Sequence, residues 1–226
     1  MKYAIPTSST AVPARIARQT LAKREDIYAR EVRALLDAAL EVMRRCGTTS
    51  RPRVADIVAA AGLSNDAFYR HFSSKDALVS AILIDGAERL AAYLEHHMAK
   101  EPRAAAKVRK WVEGVLSQAE PSVAGTTLAV LWNGDGVSGG QKSGRSFATD
   151  PLALLLEQPF RELGSADPQL HAALAAHATL GQLSDYLWRR EQPAPSEVRR
   201  IIEFCLAAVS DTRANDSEAH DMEGGL

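Results

Sequence analysis

Cysteine, long apolar runs and strand-like alternation are all scarce in this 226-residue chain, and each shortage removes a class of protein. Cys46 and Cys205 are the only cysteines, and neither falls in a C-x-x-C or mixed Cys/His spacing. No metal site, redox centre or cofactor is therefore expected, and both thiols read as buried groups in a reducing compartment. No stretch approaches the ~18 apolar residues of a membrane span, and the opening MKYAIPTSSTAVPAR lacks the apolar core of a leader, so a cytoplasmic protein with no membrane partner is expected. No repeat of about 20–50 residues recurs. The Gly-rich GGQKSG resembles a phosphate loop, but Gln141 separates the glycines from Lys142 and no strand precedes it, which excludes a Walker motif. His96-His97 is the only histidine pair, and it has no carboxylate or cysteine pattern beside it. No spacing supplies a nucleophile, base and orienter together, so catalytic residues are expected to be absent.

Positive charge also looks short, because the net charge is −1. The total hides an asymmetry. Residues 1–78 hold 13 Lys/Arg against 8 Asp/Glu, a net of +5, and the rest hold 14 against 20, a net of −6. A basic N-terminal module on an acidic body suits a protein that meets a polyanion with one end only. With 46% hydrophobic residues a full core is available, and the periodicity throughout is helical, so an all-α fold is expected.

The densest local signals lie between Arg53 and Leu78. Val54, Ile57, Val58 and Ala61 lay one apolar stripe on a short helix. Gly62 can close that helix in the left-handed conformation, with Leu63 packing back on its last turn. Ser64 then caps a new helix. In it Phe68 and Phe72, four apart, face inward and leave Asn65, Asp66, Tyr69, Arg70 and His71 on or near the outer face. A small helix showing an amide, a phenol, an imidazole and a guanidinium carries groups that bind phosphates and base edges. Ser73 and Asp76 form a capping-box-like S-x-x-D, which starts a further helix with Lys75 in its first turn. A cation there opposes the helix dipole unless a phosphate lies nearby. Two short helices joined by so tight a turn are a helix-turn-helix.

The string G-L-S-x-x-x-F-Y-x-H-F-x-S-K-x-x-L resembles the DNA-binding signature of the tetracycline-repressor (TetR) family of bacterial regulators, over roughly residues 30–80. The resemblance implies an N-terminal three-helix domain containing the helix-turn-helix, followed by a larger helical domain that dimerises and holds a small effector. It implies backbone contacts from Ser64, Tyr69, His71 and Lys75, and base reading by Asn65, Asp66 and Arg70. Many members have Thr before the first of the two helices and Ile-Ala within it, where this chain has Arg53 and Ile57-Val58; Arg53 could serve a phosphate instead. Asp66 is expected to accept from cytosine or to brace Arg70 one turn on.

The remaining expectations follow the chain. Residues 1–24 read as a disordered basic arm bearing Arg15, Arg18, Lys23 and Arg24, residues 25–78 as the DNA-binding domain, residues 79–210 as the effector-binding and dimerisation domain, and residues 211–226 as a disordered tail. A helix from Ile27 to Cys46 should back the helix-turn-helix, and one from Ser74 to Met98 should connect the two domains, with Gly86 as a weak point. Residues 133–150 read as a Gly/Ser-rich loop. Trp111, Trp132, Tyr93, Phe160, His171 and His177 either line an effector cavity or serve as core and dimer contacts. Helices over 168–190 and 196–209 are expected to form a four-helix dimer interface, with Ile202 inside it. The expected function is a repressor that binds a palindromic operator in double-stranded DNA as a homodimer and is released by a small-molecule effector. The alternative is an effector-independent architectural or cell-division DNA binder of the same fold.

Overall fold

The computed structural model describes residues 11–134 and 144–207, and among these no strand occurs. The elements are α1 (Ala11–Cys46), α2 (Val54–Ala61), α3 (Asn65–His71), α4 (Lys75–Met98), α5 (Ala104–Leu116), a 3₁₀ turn (Ser117–Ala119), α6 (Pro121–Gly134), α7 (Gly144–Glu162), α8 (Pro168–Arg189) and α9 (195–207). The expected C-terminal tail and the centre of the Gly-rich segment lie outside the described residues.

Two hydrophobic cores organise these helices. The smaller is built from Leu35, Ala39 and Met43 of α1, Ile57 and Val58 of α2, Phe68 of α3 and Leu78, Val79 and Ile82 of α4, and it also takes Ala129 and Val130 from α6. The larger gathers Leu94 and Met98 of α4 with Trp111, Val112 and Val115 of α5, Leu156 and Phe160 of α7, Ala176 and Leu187 of α8, and Ile202 and Cys205 of α9. Trp111 is fully buried, and its indole N–H donates to the Leu152 carbonyl at 2.9 Å, so its one polar group is satisfied as it fills the centre. Helix α4 passes from one core to the other, as expected of a connecting helix. Burial pushes the Cys205 thiol above its ordinary range, so this cysteine behaves as a core residue beside Thr179.

Four expectations are corrected. Helix α1 begins at Ala11, not near Ile27, so residues 11–24 of the supposed disordered arm are helical. Alanine, arginine, leucine and lysine dominate there, and intrinsic propensity continues the helix where no apolar stripe asks for one; residues 12–30 are all exposed. The Gly/Ser-rich loop is shorter than 133–150, because α6 reaches Gly134 and α7 starts at Gly144. Asp150-Pro151 resembles a helix start, yet α7 runs through Pro151 at the loss of one backbone donor. The box expected from Ser73 and Asp76 does not form: Ser74 caps α4, its Oγ accepting from the Ala77 N–H at 3.1 Å. Finally, Ile202 is only 3% exposed and belongs to the protomer's own core, while Phe204 on α9 stands outside. The last turns carry Ile201, Ile202, Phe204 and Leu206, so apolar periodicity alone does not say which face turns inward.

Candidate nucleic-acid interface

Local chemistry fixes the helix-turn-helix. Arg53 sits at the N-cap of α2, its backbone N–H donating to Asp56 Oδ2 at 3.2 Å. Gly62 ends α2 with φ of +66°, a left-handed conformation that glycine adopts without a Cβ clash. The Leu63 N–H returns to the Val58 carbonyl at 2.9 Å, and the Leu63 side chain packs on the small core. Ser64 then opens α3, its Oγ accepting from the Ala67 N–H at 3.1 Å. These bonds all span five residues or fewer, so the course of the chain from α2 into α3 is set by short-range contacts.

Phe68 is fully buried and Phe72 nearly so, their rings 5.8 Å apart, and together they anchor α3. The opposite side presents Asn65, Asp66, Tyr69 and Arg70, all exposed, with Tyr69 at 60% and its ring edge-on to Phe68. Ser64 and Arg53 are exposed beside them, and Lys75 is half-buried at the first position of α4.

Arg70 and His71 are placed differently from expectation. Arg70 does not pair with Asp66. Its Nη1 lies 3.1 Å from Glu31 Oε2 on α1, and its guanidinium stands 5.8 Å from the Tyr28 ring centre. His71 turns the same way: its Nε2 is 2.6 Å from the same carboxylate oxygen, its ring meets Tyr28 edge-on at 5.3 Å, and its side chain is only 9% exposed. The His71 hydrogen bond, helped by the Arg70 charge, holds the Glu31 carboxyl below its ordinary range against the opposing effect of burial. Glu31 and Tyr28, three apart on α1, thus hold the C-terminal end of α3. Their spacing was the only signal in the sequence, since the partners lie about 40 residues away.

A second feature lies behind this face. A cavity of about 770 Å³ opens between α1, α4, α6, α7 and α8, lined by Leu36, Leu40, Leu83, Leu90, Leu131, Leu152, Leu180, Leu183 and Trp188 with Asp37, Asp85, Arg89, Thr126, Thr127, His177 and Ser184 among the polar groups. Of the six aromatic and histidine residues considered from the sequence, only His177 lines it. Trp111 and Phe160 are core, His171 bonds to Ser165, Tyr93 packs on His97, and Trp132 lies under the Arg51 guanidinium. At the cavity edge Asp85 of α4 accepts from Arg33 of α1 at 2.9 and 3.3 Å and from Arg89 at 2.8 Å, tying the two helices together. Among the described residues no group of three or more His, Cys, Asp or Glu could hold a metal ion, and no helix is long and apolar enough to cross a membrane.

Residues 35–82, from mid-α1 to the second turn of α4, match the family model for bacterial regulatory proteins of the tetR family. The fold recurs in a Mesorhizobium loti protein assigned to the TetR-family transcriptional regulators, at a TM-score of 0.61 over 82% of this chain and 97% of that one, with 15% identity. It recurs in the fatty acid degradation regulator FadR from Bacillus halodurans, at 0.59 over 76% and 96% with 16% identity. The transcriptional regulator FadR from Bacillus subtilis, solved in complex with stearoyl-CoA, gives 0.56 over 77% and 97% with 16% identity. At such identities the likeness is one of fold, and no curated protein matches the chain in sequence. Residues 35–82 thus carry the helix-turn-helix of the tetR family of bacterial regulatory proteins, and beyond them the likeness is one of fold.

Proposed function

We propose that this DNA-binding regulator is a repressor that grips a palindromic operator as a homodimer and is released when a small molecule enters the cavity behind its reading heads. The observation that carries the reading is the outer face of α3, where Asn65, Asp66, Tyr69 and Arg70 stand exposed on a helix anchored by Phe68 and Phe72. Asn65 and Arg70 suit bidentate contacts to adenine and guanine, and Asp66 suits the amino group of cytosine. Ser64, Tyr69, Lys75 and Arg53 flank that face and suit phosphates. His71, turned to Glu31, supports α3 in this reading rather than touching the backbone.

Two further observations support the dimer and the effector. Leu170, Leu174, Trp188 and Phe204 are exposed along α8 and α9, an apolar face that a second copy would cover. The cavity has the size and mixed lining of a small-molecule site, and it touches α1 and α4, which also shape the small core under α3. The same fold in Bacillus subtilis FadR holds stearoyl-CoA, so elongated apolar ligands are the class to screen first. The test is selection of duplexes from a random pool. An enriched inverted repeat, whose binding weakens with a compound that raises the melting temperature, is the expected result; enrichment of no sequence at all counts against the reading.

A further inference from the structure

Before Tyr28, α1 meets no other element among the described residues. Residues 12–30 are exposed along their whole length, and the helix meets the rest of the protein first through Tyr28 and Glu31 at the C-terminal end of α3. The direction of this free segment follows from the other end of α1. Just past Cys46, Thr48 accepts from Arg190 after α8, and Arg51 stacks over Trp132 of α6. The C-terminal end of α1 therefore lies against the body and its middle against the reading helix, so the chain traced toward Val12 leaves the body and runs on past α3. The sixteen residue steps from Tyr28 to Val12 span about 24 Å of helix, against about 34 Å for one turn of duplex.

Charge identifies what this segment meets. From Val12 to Arg24 there are four cations, Arg15, Arg18, Lys23 and Arg24, and no acidic residue. None of the four takes part in an ion pair among the described residues. Arg18 is exposed, and its Nε donates to the Ala14 carbonyl at 3.3 Å within the same helix. A lone helix of this length is marginal in water, and a polyanion laid against its cations stabilises it. We propose that the free half of α1 is a second DNA-contacting element, which lies along the sugar-phosphate backbone flanking the bases covered by α3 and adds affinity without reading sequence. This rests on the proposed use of α3 as the reading helix, because that is what places the duplex beyond its outer face.

The test uses the full chain with R15Q, R18Q, K23Q and R24Q combined. These side chains are exposed and outside both cores, so the melting temperature should not move. Fluorescence anisotropy on a mixed-sequence duplex of about four helical turns needs no known operator. Between about 50 and 200 mM salt, the variant should show a plot of log affinity against log salt flatter by about two to four units per protomer. At the lower salt it should bind at least tenfold more weakly. An unchanged slope and affinity overturn the inference while leaving the reading helix intact. A wild-type chain that binds no duplex overturns the DNA-binding reading and this inference with it. Vesicles of phosphatidylserine and phosphatidylcholine form the third arm: loss of vesicle binding in the variant, with duplex binding unaltered, would assign the segment to a membrane surface instead.

Discussion

Arg70 is tied to Glu31 and Tyr28 within its own protein, and in the proposed reading it also serves the DNA, so the most specific residue-level consequences lie on this face. Among the described residues Asn65 makes no side-chain hydrogen bond, so in the proposed reading it can commit wholly to a base edge, and Asn65→Ala should cost ~1–3 kcal/mol on the operator and little on scrambled duplex. Lys75, at the first position of α4, should behave in the opposite way: Lys75→Ala weakens all sequences alike and lowers the salt slope by about one unit. Anisotropy titrations on the two duplexes separate these outcomes, and equal losses on both for Asn65→Ala would move base reading off this face. Glu31 makes a separate claim, because its carboxylate holds His71 and Arg70 together. Its carboxyl lies below the ordinary glutamate value of 4.5 through the His71 hydrogen bond first and the Arg70 charge after it. The tie therefore contributes fully above that value and is lost as pH falls through the lowered one. Glu31→Gln should melt below the wild type at neutral pH, and the two melting temperatures should converge in acid. Parallel melting curves at every pH would show that the carboxylate adds nothing.

At the scale of elements, α4 is the part that can couple the cavity to the reading head. Its first turns are core of the small domain, its last turns are core of the body, and its middle lines the cavity beside the Arg33–Asp85 tie to α1. Gly181 on α8 faces that cavity, and a Cβ added there meets nothing within 4 Å, so a larger side chain has room to enter. In the proposed reading an apolar ligand of the cavity raises the melting temperature, and Gly181→Phe should abolish that rise; because Gly181 shares the α8 face of Leu174 and Trp188, light scattering on the variant separates a filled cavity from a lost dimer. A ligand-induced rise that survives the substitution would place the binding site elsewhere. Which elements could be read from sequence follows from the range of the forces that make them. The turn at Gly62, the cap at Ser64 and the inward Phe68 and Phe72 depend on neighbours within four residues, and the structure places all of them as the spacing requires. The Glu31 contacts and the cavity join segments from about 40 to more than 140 residues apart, and no local period encodes which helix meets which. The length of α1 is not legible for the opposite reason, since its exposed first half is helical by propensity and carries no stripe that packing would demand.

For the whole molecule the question is how α3, a proposed reading helix of seven residues, gains enough affinity, and the proposed answer is a second copy. Two copies of α3 held about 34–36 Å apart can meet successive major-groove faces, which a lone head of this size cannot do. The spacing must come from an interface rigid enough to preserve it, and the apolar face of α8 and α9 offers one. Phe204 is 63% exposed there, close in sequence to Ile202 but on the opposite side of α9 from the core. Phe204→Glu should therefore yield a folded monomer with nearly unchanged helicity, because nothing in the protomer's core is lost. Ile202→Glu, by contrast, buries a charge inside the larger core and should unfold the body, so loss of dimer in that variant would say nothing about the interface. In light scattering the Phe204→Glu chain should have about half the wild-type mass. Its binding to mixed-sequence duplex should fall modestly, and its binding to an inverted repeat should fall to that same level, since the gain from a palindrome requires both heads at once. A Phe204→Glu chain that still scatters as a dimer, or that still prefers the inverted repeat, would place the contact between subunits on another face.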